Sequence, residues 1–211
     1  MIVSHRHKFI FVKTVKTAGT SIEVDLNKVL GAGDIATPIV PAVPGHMPQN
    51  FAYRKCGLFS RNCSNHMSAR EIRKIVGRRA FRKYFVFCVE REPVDKCMSH
   101  YSMLVNSPVH NRGNQGLTWD DYVARGKFPV DVGKYTDRHG GLLVHRILKY
   151  ENLAEELRSV ADMLGFEVDL TAKAKSGFRE TCPVSERQTK IIYDAFAKSN
   201  RYTGYSIPDR V

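Results

Sequence analysis

The chain has 211 residues, 43% of them hydrophobic and 26% charged, and carries a formal net charge of +12. This length suits a single domain over residues 1–211, and the composition excludes a disordered or low-complexity chain. The positive excess points to anionic ligands without choosing among nucleotide phosphates, an acidic glycan, nucleic acid and a membrane surface.

Lys8–Val12 is a short apolar run between polar residues and reads as a buried strand. Lys13–Ser21 follows as a basic, hydroxyl-rich loop, after which Ile22, Leu26, Val29 and Leu30 recur at helical spacing up to Gly31. The next stretch, up to Pro48, holds four prolines and reads as a loop, and residues 50–64 fit neither period. Ser68 and Glu71 form a capping box that starts a helix closed by Gly77, and Arg78–Lys83 reads as a solvated basic connection.

Tyr84–Val89 is nearly continuous apolar sequence, as expected of a strand buried on both faces. Pro93 suits the first position of a helix, and Thr118–Asp121 begins another short helix. Leu142–Tyr150 reads as a strand, or as a helix running into one. Leu153–Leu164 is amphipathic and stops at Gly165, and Ser185–Ser199 forms the last predicted helix. Alternating strands and helices predict an α/β fold, a P-loop-NTPase-like three-layer sandwich with a central, mostly parallel sheet flanked by helices.

No run of about 18 apolar residues occurs, so no membrane span is expected. The polar start at Met1–Lys8 is unlike a secretory signal, and a cytoplasmic location is expected. Cys56, Cys63, Cys88, Cys97 and Cys182 are odd in number and lack a CxxC pair, and they read as free thiols.

Two places carry candidate chemistry. The first is the loop between the opening strand and helix, where free amides and the positive helix end gather. Thr17, Thr20 and Ser21 add hydroxyls, Lys16 adds a cation, and Gly19 permits close approach of an anion. The lysine precedes the glycine, so this is not the GxxxxGK[ST] loop of common nucleotide hydrolases. The second is Arg91, at a strand end, with Ser99 two turns into the following helix; fork and hydroxyl can reach one phosphate. Two anion sites at neighbouring strand ends suit a nucleotide with phosphates at both ends.

KFIFVKTVKTAGTSIE, NHMSAREIRKIVG, YFVFCVEREPVDKCMSHY and ILKYENLAEELRSVADMLGF, in that order, resemble the sulfotransferases that use 3′-phosphoadenosine-5′-phosphosulfate (PAPS), especially the carbohydrate-modifying and bacterial members. The resemblance implies that Lys16, Thr17, Ala18, Gly19, Thr20 and Ser21 hold the 5′-phosphosulfate, and that Arg91 and Ser99 grip the 3′-phosphate. It implies sulfuryl transfer from PAPS to a hydroxyl of a glycan, releasing 3′-phosphoadenosine-5′-phosphate (PAP) without a metal. Val15 stands where the family has proline and Lys96 where it often has arginine; lysine keeps the charge and loses the fork.

The acceptor hydroxyl needs a base. His66, before the capping-box helix, matches a position where carbohydrate sulfotransferases place a histidine, and Glu23 is the rival. Arg112, Lys127, Lys134, Arg138 and His139 lie in loop-rich segments and suit either an acidic acceptor or plain solvated surface. The alternatives are a nucleotide phosphotransferase on a related fold and a non-catalytic polyanion-binding module. Nucleic acid is not the expected partner, since no interleaved aromatic platform stands out.

Overall fold

The structure is a computed structural model and describes residues 1–55, 59–111, 113–170 and 182–208. In chain order the elements are β1 (Ile2–Ser4), β2 (Phe9–Val12), α1 (Gly19–Asn27), β3 (Ile35–Ala36), β4 (Ala52–Lys55), β5 (Phe59–Asn62), α2 (Ala69–Val76), α3 (Arg78–Lys83) and β6 (Phe85–Glu90). There follow α4 (Pro93–Asn106), α5 (Trp119–Arg125), α6 (Val132–Tyr135), β7 (Arg146–Lys149), a 3₁₀ turn (Tyr150–Asn152), α7 (Leu153–Leu164), α8 (Glu186–Ala195) and α9 (Ala197–Thr203). The chain divides into two compact units, Met1–Glu90 with Gly133–Ala174, and Arg91–Val132 with Lys175–Val211. No helix among the described residues is long and apolar enough to cross a membrane.

The first unit is built on a five-stranded sheet in the order β3-β1-β2-β6-β7, and β4 and β5 form a separate antiparallel pair. The fold is mixed α/β. Pairings β2·β6 and β6·β7 are parallel, whereas β1·β2 and β1·β3 are antiparallel. The sheet is therefore half antiparallel rather than mostly parallel. The cause is the short His5–Lys8 connection, because a parallel partner needs a crossover of a dozen or more residues.

Strands β2 and β6 bury both faces, as their unbroken apolar runs predict: Ile10, Val12, Val86 and Cys88 are as inaccessible as Phe9, Phe11, Phe87 and Val89. The Phe9, Phe11, Phe87, Val89 and Leu148 face packs with Ile22 and Leu26 of α1 and with Leu157, Val160 and Ala161 of α7. Phe11 and Phe87 sit in register across the parallel pair with ring centroids 5.4 Å apart.

The basic segment Arg78–Lys83 is a helix rather than a connection; Phe81 anchors it and is buried. The predicted final helix is split at Phe196 into α8 and α9. In the second unit α4, α5 and α8 enclose Cys97, Tyr101, Trp119, Tyr122, Ile192 and Phe196. Burial pushes the Cys97 thiol up to about 12, which makes it inert at neutral pH. Cys63, Cys88 and Cys182 are also free thiols, and Cys56 lies outside the described residues.

One buried carboxylate clips the edge of the sheet to the end of α1. Asp34 is 1% exposed and accepts from Ser4 Oγ at 2.7 Å, His5 N at 2.6 Å, Arg6 N at 3.1 Å and Gly31 N at 2.9 Å. Burial raises its pKa, but the bonds from Gly31, Ser4, Arg6 and His5 outweigh that and hold the carboxyl below its usual range. A depressed carboxylate stabilises the fold above its unfolded pKa, and that contribution disappears as pH falls through the folded value. Asp34→Ala strands three amides and a hydroxyl and is expected to cost about 2–4 kcal/mol in urea unfolding at pH 7. The difference from wild type should shrink as the pH falls below 3.8, the carboxyl's ordinary value.

Candidate functional site

The loop after β2 begins with Thr14, whose hydroxyl donates to Val89 O at the end of β6 and so ties the two parallel strands together. With that proton committed, Thr17 Oγ1 must donate across the 2.8 Å contact to Thr14 Oγ1. Thr17 is fully buried. Its hydroxyl therefore works inside the loop and does not face a ligand.

Lys16 and Ala18 both adopt left-handed backbone, with φ of 61° and 56°. Two such non-glycine residues flanking Thr17 are costly, about 1–3 kcal/mol each, and alternation of this kind turns successive amides to one side as an anion-binding nest. Ala18 opens α1 without any side-chain cap, and no acidic residue occupies the first turn of this nine-residue helix. The positive end of the helix dipole at this start favours an anion there. Lys16 and Thr20 are half-buried along this loop, and Ser21 is buried.

Gly19 is also held bare by a neighbouring side chain. A Cβ on it would lie 2.8 Å from Lys13 Cγ and 3.0 Å from Lys13 Cε. Its bare backbone makes room for the Lys13 stem, which passes beneath the helix start to reach Glu23 Oε2 at 2.5 Å. Glu23 is fully buried, and its other oxygen accepts from the Met1 amine. Burial lowers that amine to about 6 against the pull of Glu23. Both Glu23 oxygens are thus committed to holding α1 against the sheet. His46, which the sequence did not single out, lies beside this group with its Nε2 buried, and burial lowers its pKa against the pull of Glu23. Asn27 holds the neighbouring loop by bonds to both Met47 backbone atoms.

His66 stands at the exit of β2. Its Nδ1 lies 3.2 Å from Lys13 O. A carbonyl only accepts, so Nδ1 carries the proton and Nε2 is the basic nitrogen of the neutral ring. The ring also lines an open cleft of 770 Å³ in the first unit, between α2 and the segment around α6. Ser68 caps α2 through the predicted box, accepting from Glu71 N at 3.3 Å while Glu71 Oε2 accepts from Ser68 N at 2.8 Å. That cap points Arg70, Arg73 and Lys74 into the cleft, where Lys134, Arg138 and His139 meet them. Three of the five loop residues suggested for an acidic acceptor are therefore brought beside His66. Lys127 is exposed in the second unit, and Arg112 lies outside the described residues.

In the second unit Glu92 caps α4, accepting from Val94 N and Asp95 N, with Pro93 at the first turn. Arg91 is 5% exposed and pairs through Nε with Asp95 Oδ2 at 2.5 Å. Asp95 and Ser99 are four residues apart and share a face of α4, so Arg91 and Ser99 line up along it. Lys96 is fully buried, pairs with Asp131 at 2.9 Å and lies over the Phe196 ring, a structural role. His100 meets Tyr122 Oη at 3.0 Å.

These features define a mixed α/β protein with an uncapped basic turn between strand and helix and a cationic cleft at the exit of the same strand. The chain is 31% identical over 111 residues to an uncharacterized protein of Archaeoglobus fulgidus, an overlap of 51% of this chain and 89% of that one, and belongs to one family with it. No protein-family model matches the chain, and no solved structure does.

Proposed function

We propose that the protein is a sulfotransferase that moves a sulfuryl group from PAPS to an acceptor hydroxyl, on a carbohydrate. The observation that carries the reading is the turn from Lys16 to Gly19, where two left-handed residues lead into an uncapped helix start. Such a turn, next to a parallel strand, also supports a P-loop-NTPase-like three-layer arrangement for the first unit. PAPS supplies an activated sulfuryl group on its 5′-phosphate. The loop amides and Lys16 fit that anion, and Arg91 and Ser99, by resemblance, take the 3′-phosphate.

His66 Nε2 takes the proton of the acceptor hydroxyl as the new O–S bond forms. Lys16 and the loop amides hold the negative charge left on the phosphate oxygen when the old S–O bond breaks. Preorganised donors aimed at developing charge commonly supply several kcal/mol of barrier lowering. Glu23 has no part in the step, because its oxygens hold Lys13 and the Met1 amine.

Thermal melts with PAP, 5′-AMP and magnesium-ATP test the reading. A ligand at 100 times its Kd stabilises by about 2.7 kcal/mol. PAP is expected to raise Tm well above the other two. A magnesium-ATP shift without a PAP shift would favour a phosphotransferase. No nucleotide shift at all, with salt-sensitive heparin or DNA binding, would favour a polyanion-binding module.

A further inference from the structure

We propose that the cleft beside His66 takes an acceptor that is already a polyanion, a glycan chain carrying carboxylate or sulfate groups next to the hydroxyl to be modified. This inference rests on the sulfotransferase reading and deepens it by naming the substrate class.

The argument begins with helical geometry. Arg70, Arg73 and Lys74 are spaced i, i+3, i+4 and share one face of α2, opposite buried Ile72. Across the cleft, Lys134 comes from the short α6 and Arg138 from the loop after it. Five side chains with permanent positive charge therefore line one 770 Å³ opening.

The two carboxylates in the same lining, Glu71 and Asp137, are already occupied. Glu71 accepts from the Ser68 hydroxyl and amide, and those bonds hold its carboxyl below the usual range. Asp137 accepts from His139 N at 2.8 Å and Gly141 N at 2.9 Å, bonds that likewise lower its pKa and shape the loop carrying Arg138 and His139. Among the described residues, Arg70, Arg73, Lys74 and Arg138 make no ion pair within 4 Å.

Like charges gathered in one concavity repel one another and weaken the fold, and their field concentrates anions. An anionic ligand relieves that repulsion. The volume suits a short oligosaccharide. Among the described residues the lining contains no Phe, Tyr or Trp, and so no platform on which nucleic-acid bases stack. Arginine forks match carboxylate and sulfate oxygens in pairs. His66 in the same lining would meet a hydroxyl of the chain whose charged groups the cations hold. The enzyme then acts after a reaction that has oxidised sugar carbons to carboxylates or has sulfated other positions.

Calorimetry on the full chain tests this with four probes: a heparin-derived hexasaccharide, a polyuronate hexasaccharide, neutral maltohexaose and single-stranded dT12. PAP affinity is measured on the same samples. Both acidic hexasaccharides are expected to bind, more weakly as salt rises, and maltohexaose at least tenfold more weakly. Arg70→Ala/Arg73→Ala is expected to lose at least tenfold in hexasaccharide affinity while keeping PAP affinity and Tm. Lys190→Ala/Lys198→Ala, which removes two exposed charges of the second unit, is expected to change nothing. If PAP binds but the hexasaccharides bind no better than maltohexaose, or the arginine variant binds them normally, the cleft assignment falls and the sulfotransferase reading stands. If the hexasaccharides bind through the arginines and PAP does not bind, the reverse holds. Tighter binding of dT12 than of either hexasaccharide would overturn the choice of a glycan.

Discussion

Glu23→Ala is expected to lower stability by about 3–5 kcal/mol, the usual cost of removing one partner from a buried ion pair. Glu23 is fully buried and Lys13 is 5% exposed, so the substitution leaves the Lys13 ammonium inside the protein without its carboxylate. For a chain of this size the loss corresponds to a Tm drop of about 10 °C. Glu23→Gln/Lys13→Met removes both charges, and replacing a whole buried pair by uncharged residues is often close to neutral. The double variant is therefore expected to recover most of what Glu23→Ala loses. A Tm for Glu23→Ala within about 1 °C of wild type would show that Lys13 has another counter-charge.

His66→Asn is expected to reduce turnover about 10²–10⁴-fold, the range for a missing general base. The asparagine amide can still donate to Lys13 O, where His66 Nδ1 now sits, but offers no basic nitrogen. Tm and PAP affinity are expected to stay at wild-type values. Turnover close to wild type in His66→Asn would show that the residue only braces the strand exit.

Much of the fold was legible because local rules decided it. The apolar runs at Phe9–Val12 and Phe85–Val89, the Ser68 capping box, the helix start at Thr118, Pro93 at a first turn and Gly165 after α7 carry their own signals in neighbouring residues. What escaped depends on distant partners. β1 has three residues flanked by His5, Arg6, His7 and Lys8, and only pairing with β2 and β3 makes it a strand. α3 shows five polar or small residues and one apolar anchor, Phe81, whose burial comes from tertiary packing.

The candidate site divides in the same way. The strand, turn and helix around Lys16 to Ser21, on which the proposed anion site rests, follow from the sequence, and the structure adds the left-handed backbone. The burial of the Thr17 hydroxyl and the use of Gly19 by Lys13 were hidden, because both depend on which way a side chain turns. Glu23 looked like a base because it lies early on α1; its partner Met1 is 22 residues away in sequence. The cleft unites α2 with Lys134 and Arg138, more than fifty residues further along the chain, and no spacing rule reaches that far.

Transfer of labelled sulfate from PAPS to an acidic hexasaccharide tests the central claim most directly. The wild-type protein is expected to label the sugar and release PAP in equal amounts, and Lys16→Ala to do so at least a hundredfold more slowly, as for loss of one preorganised donor. Unlabelled sugar across the acidic and neutral panel, from protein whose Tm does not respond to PAP, would contradict the account.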